Sequence, residues 1–423
     1  MSRHLIRPLL NHSYPVAKSA SGIWITDVSG RKYFDGSSGA ITCSLGHSHP
    51  RILETIARES KDLQFVYRSQ FSSTQAEALA EKLCTWSRDD IYEYTFFVNS
   101  GTEAMETAMK VAWQYWQESG LPEKRQFITR RKSYHGITMG ALSLSGHSLR
   151  RRRFEDLLEP YPALTSDLMK DSAEHQAQEL QHTIDRLGAS SVAAFVSEPV
   201  VGAAGAAIHP PKDYYQKIKQ VCQQNNILFI ADEVMTGLGR TGTKFGLDHW
   251  NTTADIIAVG KSLGAGYAPI AATLMTKKVL EPIKNGSGLI MSGHTYSAHP
   301  LSCAIALDVL KTIEEDNLLS NVQERGIQLI EGLSILRQKF PVIDATRGVG
   351  LMTGFEFDSA LPGLQQKFIG KCFENGLLVY PSVSGPEGKD ENGILIAPPF
   401  ITTSVEMEIL LDRLEKSLNE FIT

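Results

Sequence analysis

Cysteine is scarce and unpatterned in this chain. The five residues Cys43, Cys84, Cys222, Cys303 and Cys372 are odd in number and scattered, with no CxxC pair. That argues against a disulfide framework, a zinc ribbon or a dithiol redox site, and no metal centre is expected; buried free thiols are the plain reading. Long apolar runs are missing too. None approaches the roughly 18 residues needed to cross a bilayer, and the opening MSRHLIRPLLNHSYPVAKSA has no apolar stretch of signal-peptide length, so a cytoplasmic protein without membrane contact is expected. Charge of one sign is not in excess: the formal net charge is -5, which gives no global pull toward nucleic acid or anionic lipid. The one basic run, Arg150 to Arg153, has no aromatic residues interleaved with it, and reads as a solvated loop or helix start rather than a nucleic-acid surface. Internal repeats, low-complexity tracts and long linkers are absent.

What remains is material for a packed core. The chain has 423 residues, 42% hydrophobic and 21% charged, enough for two closely associated domains acting on small molecules. Near the start, GIWITDVSGRKYFDG reads as two short strands turning at Ser29-Gly30. From about Pro50 to Leu310 helical segments alternate with short apolar runs: TFFV (95–98), VAAFV (192–196), ILFIA (227–231) and DIIAVG (255–260). These are candidate buried strands of a parallel sheet. Between them, EAMETAMKVAWQYW repeats Ala104, Ala108, Val111, Ala112 and Tyr115 at helical spacing. Strand and helix in alternation predict an α/β fold with helices on both faces. The C-terminal part opens with helical EEDNLLSNVQERGIQLIEGL, passes through a strand pair in VIDATRGVGLMTGFEF and ends in the helix SVEMEILLDRLEKSLNEF. The expected division is a large domain over 53–310 and a smaller α+β domain formed by 1–52 together with 311–423.

Ligands of α/β sheets bind beyond the carboxyl ends of the strands, so the residues that follow each run matter most. After TFFV comes Asn99-Ser100-Gly101-Thr102, opening into a helix. This suits an anion such as phosphate, though Ser and Thr are also ordinary helix caps. After ILFIA comes Asp232-Glu233-Val234; a buried aspartate needs a partner, which could be a protonated pyridine nitrogen or a structural ion pair. Lys261 follows DIIAVG directly and precedes the small-residue segment SLGAGYAPI. Desolvation there would lower its pKa and expose a nucleophilic amine, the alternative being a snorkelling surface lysine. Ser133-Tyr134-His135-Gly136 offers a ring that could stack on a flat cofactor or fill the core. Two look-alikes fail. Gly237-Leu238-Gly239-Arg240-Thr241-Gly242 fits GxGxxG but lacks the acid that a dinucleotide site needs, and Gly260-Lys261-Ser262 has Asp255 where a P-loop needs its first glycine.

Taken in order, these residues resemble the class III aminotransferases, fold type I pyridoxal-phosphate enzymes with a mostly parallel central sheet. The likeness runs through GHSHP (46–50), NSGTEAMETAMKVA (99–112), YHG (134–136), SEPVVG (197–202), ADEVMTGLGRTG (231–242), GKSLGAGYAPIAA (260–272), HTYSAHPLSCAIAL (294–307) and TRGVGLM (346–352). The resemblance implies that pyridoxal 5'-phosphate is held on Lys261 as a Schiff base, its phosphate by Ser100, Gly101 and Thr102, and its ring between Tyr134 and Val234. It implies Asp232 on the ring nitrogen, His135 and Glu198 beside it, Thr295 reaching the phosphate of a neighbouring subunit in a homodimer or tetramer, and Arg347 on the substrate carboxylate. Lys261, once displaced by an amine, would shuttle the proton, in ping-pong fashion. Other branches of the family carry a glutamate shortly after the EP motif that gates this arginine, and a glutamine after DEV; here those positions hold Ala203 and Met235. The expectation is an ungated Arg347 and a preference for pyruvate over 2-oxoglutarate. Ile41, Thr42, Tyr67 and Phe71 are expected in the substrate pocket. Racemase, phospholyase and decarboxylase outcomes share the scaffold, because the cofactor stabilises a carbanion whichever bond breaks.

Overall fold

Each of the four apolar runs becomes a strand. In the computed structural model, which describes residues 4–358, 360–361, 363–384 and 390–422, they are Tyr92–Val98, Val192–Ser197, Leu228–Asp232 and Ile256–Val259. All four join one seven-stranded sheet whose order is Tyr92–Val98, Ala271–Thr276, Ile256–Val259, Leu228–Asp232, Val192–Ser197, Gln126–Arg130, Ala163–Leu164. Only Ala271–Thr276 runs antiparallel, to both of its neighbours. The other pairings are parallel, with Ser197 opposite Ala231 and Asp232 opposite Ala258. Three strands were not expected. Ala271–Thr276 and Gln126–Arg130 carry too few bulky apolar residues to stand out, and Ala163–Leu164 is too short.

The sheet is covered on both faces, which is why its inner strands are apolar throughout. Side chains still alternate: Phe96, Val98, Leu228, Ile230, Ile256 and Ala258 pack with Ala104, Ala108, Val111 and Ala112 of the helix Gly101–Glu118. Phe97, Phe229, Ala231, Ile257 and Val259 point into the opposite layer. Because the strands are parallel, Val98, Ser197, Asp232 and Val259 all end at one edge, and the residues that follow them are brought together.

The N-terminal hairpin forms as expected, Trp24–Asp27 against Lys32–Asp35, with Asp27 Oδ1 accepting the backbone N–H groups of Ser29 (2.8 Å) and Arg31 (3.0 Å). Ala17–Ser21 and Leu377–Leu378 extend it to four strands. A third sheet joins Ile343–Val349, Met352–Phe357, Asp390–Ile396 and Tyr380–Ser384, all antiparallel; the expected strand pair is its first half. The segment 314–333, expected as one helix, is divided. Pro300–Glu315 ends there, Asn317 takes a left-handed φ of 51°, and Leu318–Lys339 starts afresh. Asparagine tolerates that conformation better than most residues, and nothing in the apolar spacing announced the break. The last helix is Ser404–Ile422.

Candidate active site

At the carboxyl edge of the large sheet lies a cavity of about 230 Å³ lined by Gly101, Thr102, Tyr134, His135, Glu198, Asp232, Val234, Met235 and Lys261, among others. Eight of the eleven predicted site residues are therefore gathered around one space. Ser100 stands at its margin: its hydroxyl accepts the Glu103 N–H (3.4 Å) and so caps the helix Gly101–Glu118. The cap and the anion site are compatible, since a helix start leaves several N–H groups without intrahelical acceptors. Thr102 Oγ1 receives the N–H groups of Ile137 (3.1 Å) and Thr138 (3.3 Å), tying the YHG turn to the helix start.

Close approach governs the glycines here. A Cβ on Gly101 would come within 2.5 Å of Val234 Cγ1, and one on Gly136, whose φ is +138°, within 2.3 Å of Thr102 Oγ1. Any side chain at Gly101 would have to displace Val234, itself a wall of the cavity.

The carboxylates are buried and individually satisfied. Asp232 Oδ2 lies 2.8 Å from His135 Nδ1, and Asp232 Oδ1 accepts the Val234 N–H at 3.1 Å. Glu198 accepts the N–H groups of Tyr134 (2.8 Å) and Gly202 (3.2 Å), and burial lifts its pKa to about 7. The other ring nitrogen of His135 is buried without a hydrogen-bond partner among the described residues. Lys261, one residue past Ile256–Val259 and Gly260, has a left-handed φ of 44°. That is a strained conformation for lysine, of the kind that collects at functional sites. Desolvation lowers the pKa of its amine, with Asp232 and Glu198 partly opposing the shift. The snorkelling alternative is thereby set aside.

Arg347 is placed differently from the expectation. It does not line this cavity; its Nη2 pairs with Glu356 Oε2 at 2.6 Å and its Nε–H donates to the Ala206 carbonyl at 3.1 Å. The arginine expected to lack a carboxylate partner has one, supplied from across the hairpin, where neighbouring positions pair Arg347 with Gly354 and Ala345 with Glu356. Sequence position alone hid this, because a cross-strand diagonal depends on register. Thr295 is exposed and outside the cavity, as are Tyr67 and Phe71; Ile41 is fully buried elsewhere and Thr42 is partly covered. One trio, Asp35, Cys43 and His47, has metal-ligand spacing. Burial pushes the Cys43 thiol up to about 11, which keeps it protonated and a poor ligand, and Asp35 is engaged by His47 and the Gly39 N–H.

Of the run Arg150 to Arg153, the first two residues end a short helix, Ser148–Arg151, and are only partly solvated. Arg151 donates to the carbonyls of Leu142, Ser143 and Ser145, and the Arg150 guanidinium lies 4.6 Å over the ring of Tyr134. Only Arg152 and Arg153 are solvated. The helical spacing of the run, which turns successive side chains to different sides, was the available clue.

The donor set fits pyridoxal phosphate. A desolvated amine whose pKa is lowered suits an aldehyde, a buried carboxylate suits a protonated ring nitrogen, a ring and a valine can enclose a flat heterocycle, and a helix start with a threonine suits a phosphate. Comparison with known proteins agrees. The family model for aminotransferase class III matches residues 10–418. An uncharacterized aminotransferase of Bacillus subtilis (strain 168), YodT, is 45% identical over 97% of this chain and 96% of its own length. Gamma aminobutyrate transaminase 3 of Solanum lycopersicum is 34% identical over 96% of this chain and 80% of its own. The crystal structure of an amine transaminase from an uncultivated Pseudomonas species, in a PLP-bound form, superposes with a TM-score of 0.93 at 31% identity, covering 99% of both chains. No described helix is long and apolar enough to cross a membrane. The chain belongs to the class III aminotransferases, pyridoxal-phosphate enzymes of fold type I that act on amines or amino acids and oxo acids.

Proposed function

We propose that the chain moves the amino group of an amino acid or ω-amine to a small oxo acid, pyruvate in preference to 2-oxoglutarate, with Lys261 as the attachment point of the cofactor and the proton carrier. The observation that carries this reading is the meeting of the Lys261 amine with Asp232 and Glu198 in one cavity at the sheet's carboxyl edge. Pyridoxal phosphate, when bound, supplies the aldehyde that takes up the amino group and a ring that accepts the electrons released at the substrate carbon. Asp232, fixed by His135 and the Val234 N–H, offers its carboxylate to the ring nitrogen and favours its protonated form. Tyr134 and Val234 would cover the two ring faces, while Gly101, Thr102 and the helix start, with Ser100 at its margin, would receive the phosphate. Glu198 holds the backbone of Tyr134 and Gly202 beside the ring. Lys261, desolvated, would carry the proton between the substrate carbon and the cofactor carbon through its amine.

The preference for pyruvate rests on Met235, an apolar wall of the cavity, and on buried Ala203. Neither can pair with a second carboxylate. We also infer a homodimer in which Thr295 reaches the partner's phosphate site. Its support is the exposed apolar surface around it: Tyr296, which meets Phe65 at 5.9 Å, with Leu289 and Met291 close by in sequence.

The test is a panel of amines and amino acids mixed with the holoenzyme, each followed by loss of the visible cofactor band and identification of the carbonyl product. Borohydride reduction and peptide mapping should place the cofactor on Lys261. A colourless protein that borohydride leaves unmodified after incubation with the cofactor overturns the reading, and faster turnover with 2-oxoglutarate than with pyruvate overturns the acceptor preference. Light scattering should return twice the chain mass.

A further inference from the structure

A second cavity, of about 220 Å³, has among its walls His147, Arg150, Gln365, Ser382 and Glu391. Tyr134 links the walls of the two spaces: it lines the first and carries on its ring both Arg150 (4.6 Å to the centroid) and the edge of His147 (5.8 Å between centroids), which line the second. Most polar groups of the second wall are already committed. Gln365 Nε2 donates to the carbonyls of Ser382 (2.7 Å) and Gly393 (2.5 Å), the Ser382 hydroxyl serves Gly202, Ala203 and Ala206, and Glu391 is exposed at the rim.

Two groups are not committed. The half-buried guanidinium of Arg150 lies over the Tyr134 ring and makes one hydrogen bond among the described residues, to the Tyr134 hydroxyl (3.3 Å), and no carboxylate among them pairs with it. His147, 6% exposed, has Nδ1 buried with no hydrogen-bond partner among the described residues. A buried ring nitrogen and a cation left unpaired in one cavity cost stability unless a ligand satisfies them. That cation also acts on the amine: the charge of Arg150 is among those that disfavour protonation of Lys261. Arg347, by contrast, is neutralised by Glu356 and lies outside both cavities.

We propose that Arg150, assisted by His147, receives the carboxylate of the amino acid and oxo acid substrates, and that it, not Arg347, determines whether a carboxylate-bearing donor is accepted. This rests on the site reading above, in which the substrate carbon is bound beside Lys261 and Tyr134. The guanidinium presents a planar fork suited to a carboxylate, and stacking fixes that fork against Tyr134, a wall of the first cavity. Neutral His147 adds a donor without adding charge, its pKa held at about 4 by burial and by Arg150.

The test uses the holoenzyme, the amino acid donor that the panel identifies, and the amine obtained from it by removing the carboxylate. Arg150→Met keeps an apolar stem over Tyr134 and removes the charge; the ratio of kcat/KM for the amino acid to that for the amine should fall about 100-fold, mostly through KM. Arg150→Lys should recover part of that ratio, and His147→Phe should lower it by less than Arg150→Met does. Equal losses for both donors in Arg150→Met would mean that Arg150 only braces Tyr134 and would overturn the proposal. So would a loss of the ratio in Arg347→Met with none in Arg150→Met. A wild-type enzyme that converts neither donor refutes instead the site reading on which the proposal stands.

Discussion

His135 Nδ1 and Asp232 Oδ2 meet at 2.8 Å with both side chains buried, and among the described residues the only other donor on that carboxylate is the Val234 N–H. The histidine thus aims the aspartate into the cavity. Asp232→Asn keeps the shape and removes the charge, so the ring nitrogen loses its partner; we expect kcat/KM to fall by about a hundredfold or more, a loss of about 3 kcal/mol in transition-state stabilisation. Steady-state kinetics at saturating cofactor checks this. His135→Leu leaves Asp232 short of a partner, and urea unfolding of the apoprotein should report a loss of about 1–3 kcal/mol.

The contact between Gly101 and Val234 gives a second expectation. A Cβ at Gly101 would meet Val234 Cγ1 at 2.5 Å and Cγ2 at 3.0 Å, closer than side chains pack. Gly101→Ala should therefore cost about 1–3 kcal/mol by overpacking and weaken cofactor retention. Val234→Ala removes the atoms that clash, so the double variant should bind cofactor better than Gly101→Ala alone. Equilibrium titration of the three apoproteins with pyridoxal phosphate measures the coupling.

Much of this site was legible because its chemistry follows strands. Asp232 and Lys261 each stand at or just after a short apolar run, and parallel strands bring such positions to a common edge whatever lies between them in sequence. Ala271–Thr276 was not legible: threonine and alanine mark it weakly, and its reversed direction is a matter of topology. Arg150 escaped for another reason. The run of four arginines reads as a solvated loop or helix start, and it does end a short helix, Ser148–Arg151, but that helix turns one arginine toward carbonyls and one onto Tyr134. The Arg347 to Glu356 pair needed the hairpin register, which no spacing rule supplies.

Glu233, next to Asp232, makes a pH expectation. Its carboxylate accepts the N–H groups of Gly246 (2.8 Å) and Leu247 (2.9 Å) and the Thr236 hydroxyl, yet burial dominates and raises its pKa from 4.5 to about 7. Between those values the folded chain holds a proton that the unfolded chain has released, so this group makes stability fall as pH rises from 4.5 to 7. The contribution is at most about 3 kcal/mol, and it is absent in Glu233→Gln. The urea midpoint of wild type should fall relative to that of the variant as pH rises across that range. A difference independent of pH would show that the carboxylate is ionised throughout.

The ion pair between Arg347 and Glu356 is nearly closed to water, with side-chain exposures of 9% and 16%. Removing one partner strands a charge, and the charge nearby is mixed, since Lys132 feels both members of the pair. Arg347→Met and Glu356→Gln should each destabilise the fold by about 3 kcal/mol, whereas the double variant should lose less than the sum because no unpaired charge remains. If the pair only fastens the hairpin Ile343–Val349 and Met352–Phe357, the double variant keeps the wild-type KM for oxo acids. A KM that rises in Arg347→Met and stays high in the double variant would instead mean that Arg347 leaves Glu356 to bind substrate. Parallel chemical denaturation and oxo-acid kinetics on the four proteins separate a structural pair from a gate.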